Sequence, residues 1–148
     1  MRTMGGKADE AEEGATQWKD WVEAMVGTGA VKEAAIIAAK DGAVLASTAG
    51  LAGLDPKKET LALVAALGPE GPDYAHGMAL AGEKFVVQQC EVGRVVRGRK
   101  GPVGVIAYKT QTVVVLGLYD ENQKPPQKAE TASSTLQTYA EHLVEAGL

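Results

Sequence analysis

Residues Lys84 to Glu121 read KFVVQQCEVGRVVRGRKGPVGVIAYKTQTVVVLGLYDE. Apolar runs of strand length alternate in this segment with turn residues, and basic residues cluster in its middle. Turns are predicted at Val92-Gly93 and over residues 109–112. Connections this short join neighbouring antiparallel strands, because a parallel pair needs a longer crossover. The segment therefore predicts an antiparallel meander, with strands over residues 84–90, 94–97, 103–108 and 113–118.

A hairpin and a short helix are predicted before this meander. Glu33–Ala39 and Ala43–Ser47 are apolar runs on either side of Asp41-Gly42, which is a strong hairpin signal. Asp55-Pro56 is typical of a helix start, because Asp caps the first turn and Pro fits its first position. One more short strand is predicted around Met78–Leu80.

Amphipathic helices are predicted at both ends of a single domain that covers residues 16–148. Residues 1–15 are polar and acidic, and they are predicted to form a disordered tail. The first helix follows a cap at Thr16, and its apolar stripe contains Trp18, Trp21, Val22, Met25 and Val26. The last helix has a similar stripe at Leu136, Tyr139, Ala140, Leu143 and Val144. With the strands between them, these helices predict an α+β fold with a central antiparallel β-sheet.

Composition and motif content favour a binding protein over an enzyme. The net charge of −4 argues against a dedicated nucleic-acid-binding protein. No dinucleotide-binding, phosphate-loop or nucleophile-elbow motif is present, so no catalytic residue and no cofactor are predicted. His76, His142 and the single cysteine, Cys90, do not have the spacing of a metal site, so no metal is predicted.

The cytoplasm is the expected location. A single cysteine cannot form an internal disulfide, which is typical of a reducing compartment. No apolar run approaches the roughly 20 residues that span a bilayer, and the N-terminus has no secretory signal pattern.

Three features together resemble the profilins, small actin-binding proteins of the eukaryotic cytoplasm. The basic meander Lys84–Glu121 is similar to the central hairpins of that family. Trp18 and Trp21 resemble its N-terminal aromatic pair, and Ala140–Leu148 (AEHLVEAGL) resembles its last helix. The resemblance implies a sheet with the N- and C-terminal helices side by side on one face and the short helix on the other.

The resemblance also implies a groove for proline-rich ligands between the two terminal helices. Independently of it, indoles three residues apart lie next to each other on a helix, and aromatic grooves bind the extended proline helix. Profilins commonly have Trp where this chain has Leu45, which predicts weaker binding. The residues implied for the groove are Trp18, Trp21, Leu45, His142, Leu143 and Leu148.

A second implied surface is basic and binds actin and, peripherally, acidic phosphoinositides. The motif RVVRGRKGPVG is predicted to form a rigid turn that presents Arg97, Arg99 and Lys100 to carboxylates or phosphates. Lys109 and the loop residues Lys124 and Lys128 are predicted to extend this patch.

The implied function is to bind actin monomers and regulate their polymerisation, with proline-rich elongation factors such as formins as partners. A monomer without enzymatic activity is expected. The alternative is a roadblock-like dimeric scaffold that regulates small GTPases, because EAAIIAAKDGAVLAS is similar to the opening hairpin of that family. Gel filtration distinguishes the two.

Overall fold

The computed structural model describes residues 6–68 and 78–148, so His76 and the residues before Gly6 lie outside the described residues. Within these ranges the chain forms an α+β fold. The helices are α1 (Gly6–Gly27), α2 (Thr60–Ala66) and α3 (Ala129–Glu145), with a 3-10 turn at Ala49–Leu51. The strands are β1 (Glu33–Ala38), β2 (Val44–Ser47), β3 (Met78–Leu80), β4 (Glu83–Glu91), β5 (Val95–Lys100), β6 (Val103–Lys109) and β7 (Val113–Asp120).

The described strands form one antiparallel sheet in the order β2-β1-β7-β6-β5-β4-β3. The meander predicted from the central segment is confirmed, because β4 to β7 pair in succession. The β1–β2 hairpin is also confirmed, and it joins the meander through antiparallel pairing of β1 with β7. The amino-terminal hairpin is therefore brought next to the last strand.

The sheet has an apolar core on each face. Helices α1 and α3 cover one face, where α1 packs on β1 and β2 and α3 packs on β6 and β7. The opposite core contains residues of α2 and the 3-10 turn. This agrees with the predicted arrangement of terminal helices on one face and the short helix on the other.

Three element boundaries differ from the sequence predictions. Helix α1 begins at Gly6 and not after Thr16, so it includes part of the segment predicted to be a disordered tail. Helix α2 begins at Thr60, because Pro56–Glu59 form a turn and not the first helical turn. Asp55 Oδ1 still accepts hydrogen bonds from the backbone N–H groups of Lys57 and Lys58, as the cap of a helix would. Strand β5 continues to Lys100, so the tight turn after it is at Gly101.

Candidate ligand-binding surfaces

An aromatic row lies along the two terminal helices, which pack beside each other. The rings of Trp21 and Tyr139 meet edge to face, with centroids 5.7 Å apart and an angle of 85° between their planes. Tyr139 meets His142 in a similar way, at 6.3 Å and 69°. We call these three residues the aromatic row. Trp21 and Tyr139 are half-buried and His142 is exposed, so the row offers ring surface to a ligand.

A groove of about 560 Å³ opens beside Trp18, and we call it the Leu45 groove. Its volume lies within the range of about 300–1,000 Å³ that is typical of ligand sites. Leu45 and Val113 contribute apolar side chains, whereas two lysines contribute positive charge. The residues that line it are Trp18, Ala38, Ala39, Lys40, Leu45, Lys109, Gln111, Thr112 and Val113.

The end of α3 is fixed to the turn between β6 and β7. The carbonyl oxygen of Leu148 accepts hydrogen bonds from the Thr110 hydroxyl, the Thr112 hydroxyl and the Thr112 N–H, each at 3.0 Å. Gly147 has a φ of +88°, a conformation that favours glycine and lets the chain turn after the helix. Because Thr112 also lines the Leu45 groove, these hydrogen bonds define one edge of that groove.

Most of the residues predicted for the proline groove lie on this side of the molecule and are accessible. Trp18, Trp21, Leu45 and Leu148 are half-buried, and His142 is exposed. Trp18 lines the groove beside Leu45, and Trp21 belongs to the aromatic row.

Leu143 is the exception, because its side chain is completely buried in the core between the helices and the sheet. It lies on the sheet-facing side of α3 with Leu136 and Ala140, so it cannot contact a ligand. Tyr139 is half-buried on this helix and offers part of its ring to a ligand, and the sequence analysis placed it in the apolar stripe but not among the site residues. Its position one helical turn before His142 could have identified it.

Arg97 lies inside β5 and not on a turn, and its side chain is used within the fold. Its guanidinium donates a hydrogen bond to Ser133 Oγ of α3 at 2.6 Å. The same oxygen lies 2.9 Å from the hydroxyl of Tyr108 in β6. Arg97 Nε is buried without a hydrogen-bond partner among the described residues. Arg97 therefore connects the sheet to α3, which corrects the prediction of a freely presented guanidinium.

The remaining predicted members of the basic turn have acidic partners and face opposite sides of the sheet. Arg99 forms an ion pair with Glu121 and donates from Nε to the Gly101 carbonyl at 2.9 Å. Lys100 forms an ion pair with Glu83. Successive strand residues point to opposite faces, so Arg99 shares a face with Arg97 and Lys100 does not. The single basic patch predicted from the sequence is therefore divided.

At the other end of this hairpin, Arg94 forms a charge-assisted hydrogen bond with Glu91. This bond lowers the pKa of the Glu91 carboxyl, so the pair stays ionised at neutral pH. Arg94, Arg99 and Lys100 of this hairpin are thus each paired with a carboxylate.

Lys124 and Lys128 remain exposed in the loop between β7 and α3. This loop is held by buried Gln127, which donates to the Gly29 carbonyl at 3.1 Å and accepts from the Asp120 N–H at 3.0 Å. No ion pair to either lysine is found among the described residues. Lys109 lies away from this loop, on the border of the Leu45 groove.

Val86 was not predicted as a site residue, although 69% of its surface is exposed. It pairs with Arg99 across β4 and β5, and cross-strand partners share a face, so Val86 lies on the same sheet face as α3. Helix α3 packs on β6 and β7 and leaves this end of the sheet open. We call Val86, Gln89 and Arg99 the open sheet end.

The described residues contain no group of His, Cys, Asp and Glu side chains arranged to hold a metal ion. They also contain no helix that is long and apolar enough to cross a bilayer. Burial raises the pKa of the Cys90 thiol, and the carboxylate of Glu91 adds to the effect.

Comparison with known proteins identifies close relatives along most of the chain. Residues 16–148 match the Profilin family model. Profilin-1A of Acanthamoeba castellanii is 35% identical over 131 residues, which are 88% of this chain and 98% of that protein. The solved structure of profilin IB from the same organism has a TM-score of 0.79 at 32% identity, with 88% of this chain and 99% of that chain covered. Mouse profilin IIa, solved in complex with a double repeat from the FH1 domain of mDia1, shares the fold at 19% identity with a TM-score of 0.66, over 88% of this chain and 99% of that one.

Proposed function

This chain belongs to the profilin family, and on that basis we propose that it binds actin monomers and regulates their polymerisation in the cytoplasm. It acts by binding and not by catalysis. The family assignment replaces the roadblock-like alternative, so gel filtration should give a monomer and not a dimer.

The observation that carries the actin proposal is the open sheet end. An exposed valine next to a guanidinium is a small apolar centre with a polar border, which is the usual composition of a protein interface. Arg99 can exchange its partner Glu121 for a carboxylate of actin, because both side chains are partly exposed. The start of α3 borders this region through Ser133, which holds Arg97.

Wild-type protein should slow spontaneous actin nucleation, and Val86→Glu should weaken this effect about tenfold or more. An interface that buries Val86 would lose the apolar contact there, and the new carboxylate, opposite Arg99 across β4 and β5, would compete with an actin carboxylate for that guanidinium. The measurement is the lag time of actin polymerisation as a function of the concentration of added protein.

Leu61→Glu is the matched control for this experiment. Leu61 is 46% exposed on α2, the helix on the opposite face of the sheet, so the same chemical change there should leave the lag time as in wild type. Unchanged nucleation in a large excess of wild-type protein would contradict the actin proposal. Equal effects of the two substitutions would contradict the assignment of actin to the open sheet end.

The second binding activity we propose is for proline-rich segments, such as those of formin-type elongation factors, on the aromatic row and the Leu45 groove. A proline helix has a rigid, regularly grooved surface that fits between aromatic rings, and ring N–H and O–H groups can donate to its carbonyls. Trp21 and Tyr139 provide such rings from two different helices, with Trp18 one helical turn before Trp21. Together they support a ligand that lies on the α1–α3 contact and extends past Trp18 to the sheet residues beside Leu45.

We further propose that acidic phosphoinositides bind peripherally through Lys124 and Lys128. Each exposed lysine near an anionic membrane contributes about 1 kcal/mol, screened over roughly 10 Å at physiological salt. The double substitution Lys124→Gln/Lys128→Gln should reduce sedimentation with phosphoinositide vesicles about tenfold or more, and binding should decrease with salt.

The matched control for vesicle binding is Lys57→Gln/Lys58→Gln, which removes the same charge from exposed positions before α2. This variant should bind vesicles as the wild type does. Binding that does not depend on salt, or equal binding to neutral vesicles, would contradict the electrostatic account.

A further inference from the structure

The Leu45 groove has an apolar wall and a positively charged border. Trp18, Leu45 and Val113 supply the apolar part, and Lys40 and Lys109 supply the charge. None of the described residues that line the groove is acidic. A ligand in this groove would therefore meet two lysine side chains next to a surface that favours apolar groups.

The two lysines of this groove lack the carboxylate partners that three basic residues of the β4–β5 hairpin have. Arg94, Arg99 and Lys100 all form ion pairs within the fold. Lys40 is exposed in the hairpin turn after β1 and has no ion pair with any described residue. Lys109 makes only a long contact of 3.4 Å from Nζ to the Thr110 carbonyl. Both ammonium groups can therefore donate hydrogen bonds to a ligand carboxylate without breaking an existing ion pair.

Two nearby sources of negative charge do not occupy the groove. Glu141 and Glu145 line a separate groove of about 360 Å³ that Lys109 also borders. Neither of them forms an ion pair with Lys109 among the described residues.

We infer that this site selects proline-rich segments that carry an acidic residue, whose carboxylate binds between Lys40 and Lys109. The inference rests on the proposed proline-rich function. Trp18 lies one helical turn from Trp21, so a peptide on the aromatic row continues directly into the groove. Its proline rings would contact the indoles, and its Asp or Glu side chain would enter the space beside Leu45.

The test uses three blocked peptides and the fluorescence of Trp18 and Trp21. One peptide contains about nine prolines, which is three turns of the extended proline helix. The second has a Glu added at each end of the proline segment, and the third has a Gln at the same places. The Glu peptide should bind about three- to tenfold more tightly than the Gln peptide at low salt, the range expected for one or two partly exposed ion pairs.

Lysine variants locate the source of this preference. In Lys40→Gln/Lys109→Gln the Glu and Gln peptides should bind equally. In Lys57→Gln/Lys58→Gln, which removes the same charge on the α2 side, the preference for Glu should persist. The preference of the wild type should also decrease as salt is raised, because the charges are exposed to solvent.

Two results would overturn the inference while leaving the proline site intact. One is equal binding of the Glu and Gln peptides to the wild type, with the all-proline peptide also bound. The other is a preference for Glu that survives in Lys40→Gln/Lys109→Gln. The absence of any fluorescence response to all three peptides would overturn the proposed proline site itself and this inference with it.

Discussion

Gly104→Ala should destabilise the protein by about 3 kcal/mol or more, at the upper end of the cost of overpacking a core. Gly104 in β6 pairs directly with Tyr119 in β7, and the aromatic ring lies over the glycine. A Cβ atom at position 104 would lie 2.1 Å from Cζ of that ring. Tyr119 is only 4% exposed, so its ring has no free space into which to move. The free energy of unfolding, measured with urea, should decrease accordingly.

A double substitution tests the cause of this effect. In Gly104→Ala/Tyr119→Leu the rigid ring is gone, so the two changes together should cost less than the sum of the single changes. Gly53→Ala is the control, because a Cβ there has no neighbour within 4 Å. We expect Gly53→Ala to change stability by less than about 1 kcal/mol. Strict additivity of Gly104→Ala and Tyr119→Leu would contradict the steric explanation.

The antiparallel sheet could be predicted from sequence because its signals are local. Each strand is an apolar run between turn residues, and the chain reverses at Asp41-Gly42 with Gly42 at a φ of +77°, although the loop between β1 and β2 is longer than the two-residue turn that Asp-Gly indicates. The ends of the strands were harder to predict from the sequence, as β5 illustrates. Arg97 and Arg99 are polar and lie next to glycines, a composition that indicates a turn. They are held in a strand by pairing with β4 and β6, partners that are distant in sequence.

Which individual side chains are buried and which are exposed could not be predicted, because this depends on tertiary contacts between elements that are distant in sequence. Leu143 and Tyr139 both belong to the apolar stripe of α3, and packing on the sheet sets the helix rotation that buries Leu143 completely and leaves Tyr139 half-buried. Val86 is an apolar, β-branched residue in a strand, which the sequence alone would place in the core. It is exposed because α3 lies over β6 and β7 and does not extend over β4. The proposed sites therefore combine residues predicted from sequence with residues that only the packing identifies.

Trp21→Ala should reduce the binding of a proline-rich peptide by more than about thirtyfold, because a central aromatic residue at a binding site typically contributes about 2 kcal/mol or more. The substitution removes the indole surface of Trp21 from the aromatic row. It also removes the edge-to-face contact that helps to hold the ring of Tyr139 in place. Tryptophan fluorescence from Trp18 can still report binding in this variant.

Trp21→Tyr separates loss of a binding surface from loss of packing. A tyrosine keeps an aromatic face and a hydrogen-bond donor, so this variant should retain most of the affinity that Trp21→Ala loses. Thermal unfolding of both variants shows how far the partly buried part of Trp21 contributes to the core under α1. If Trp21→Ala binds the peptide as tightly as the wild type while remaining folded, the aromatic row is not the proline site. If Trp21→Tyr binds no better than Trp21→Ala, the contact depends on the indole itself, through its larger surface or its N–H, and not on an aromatic ring in general.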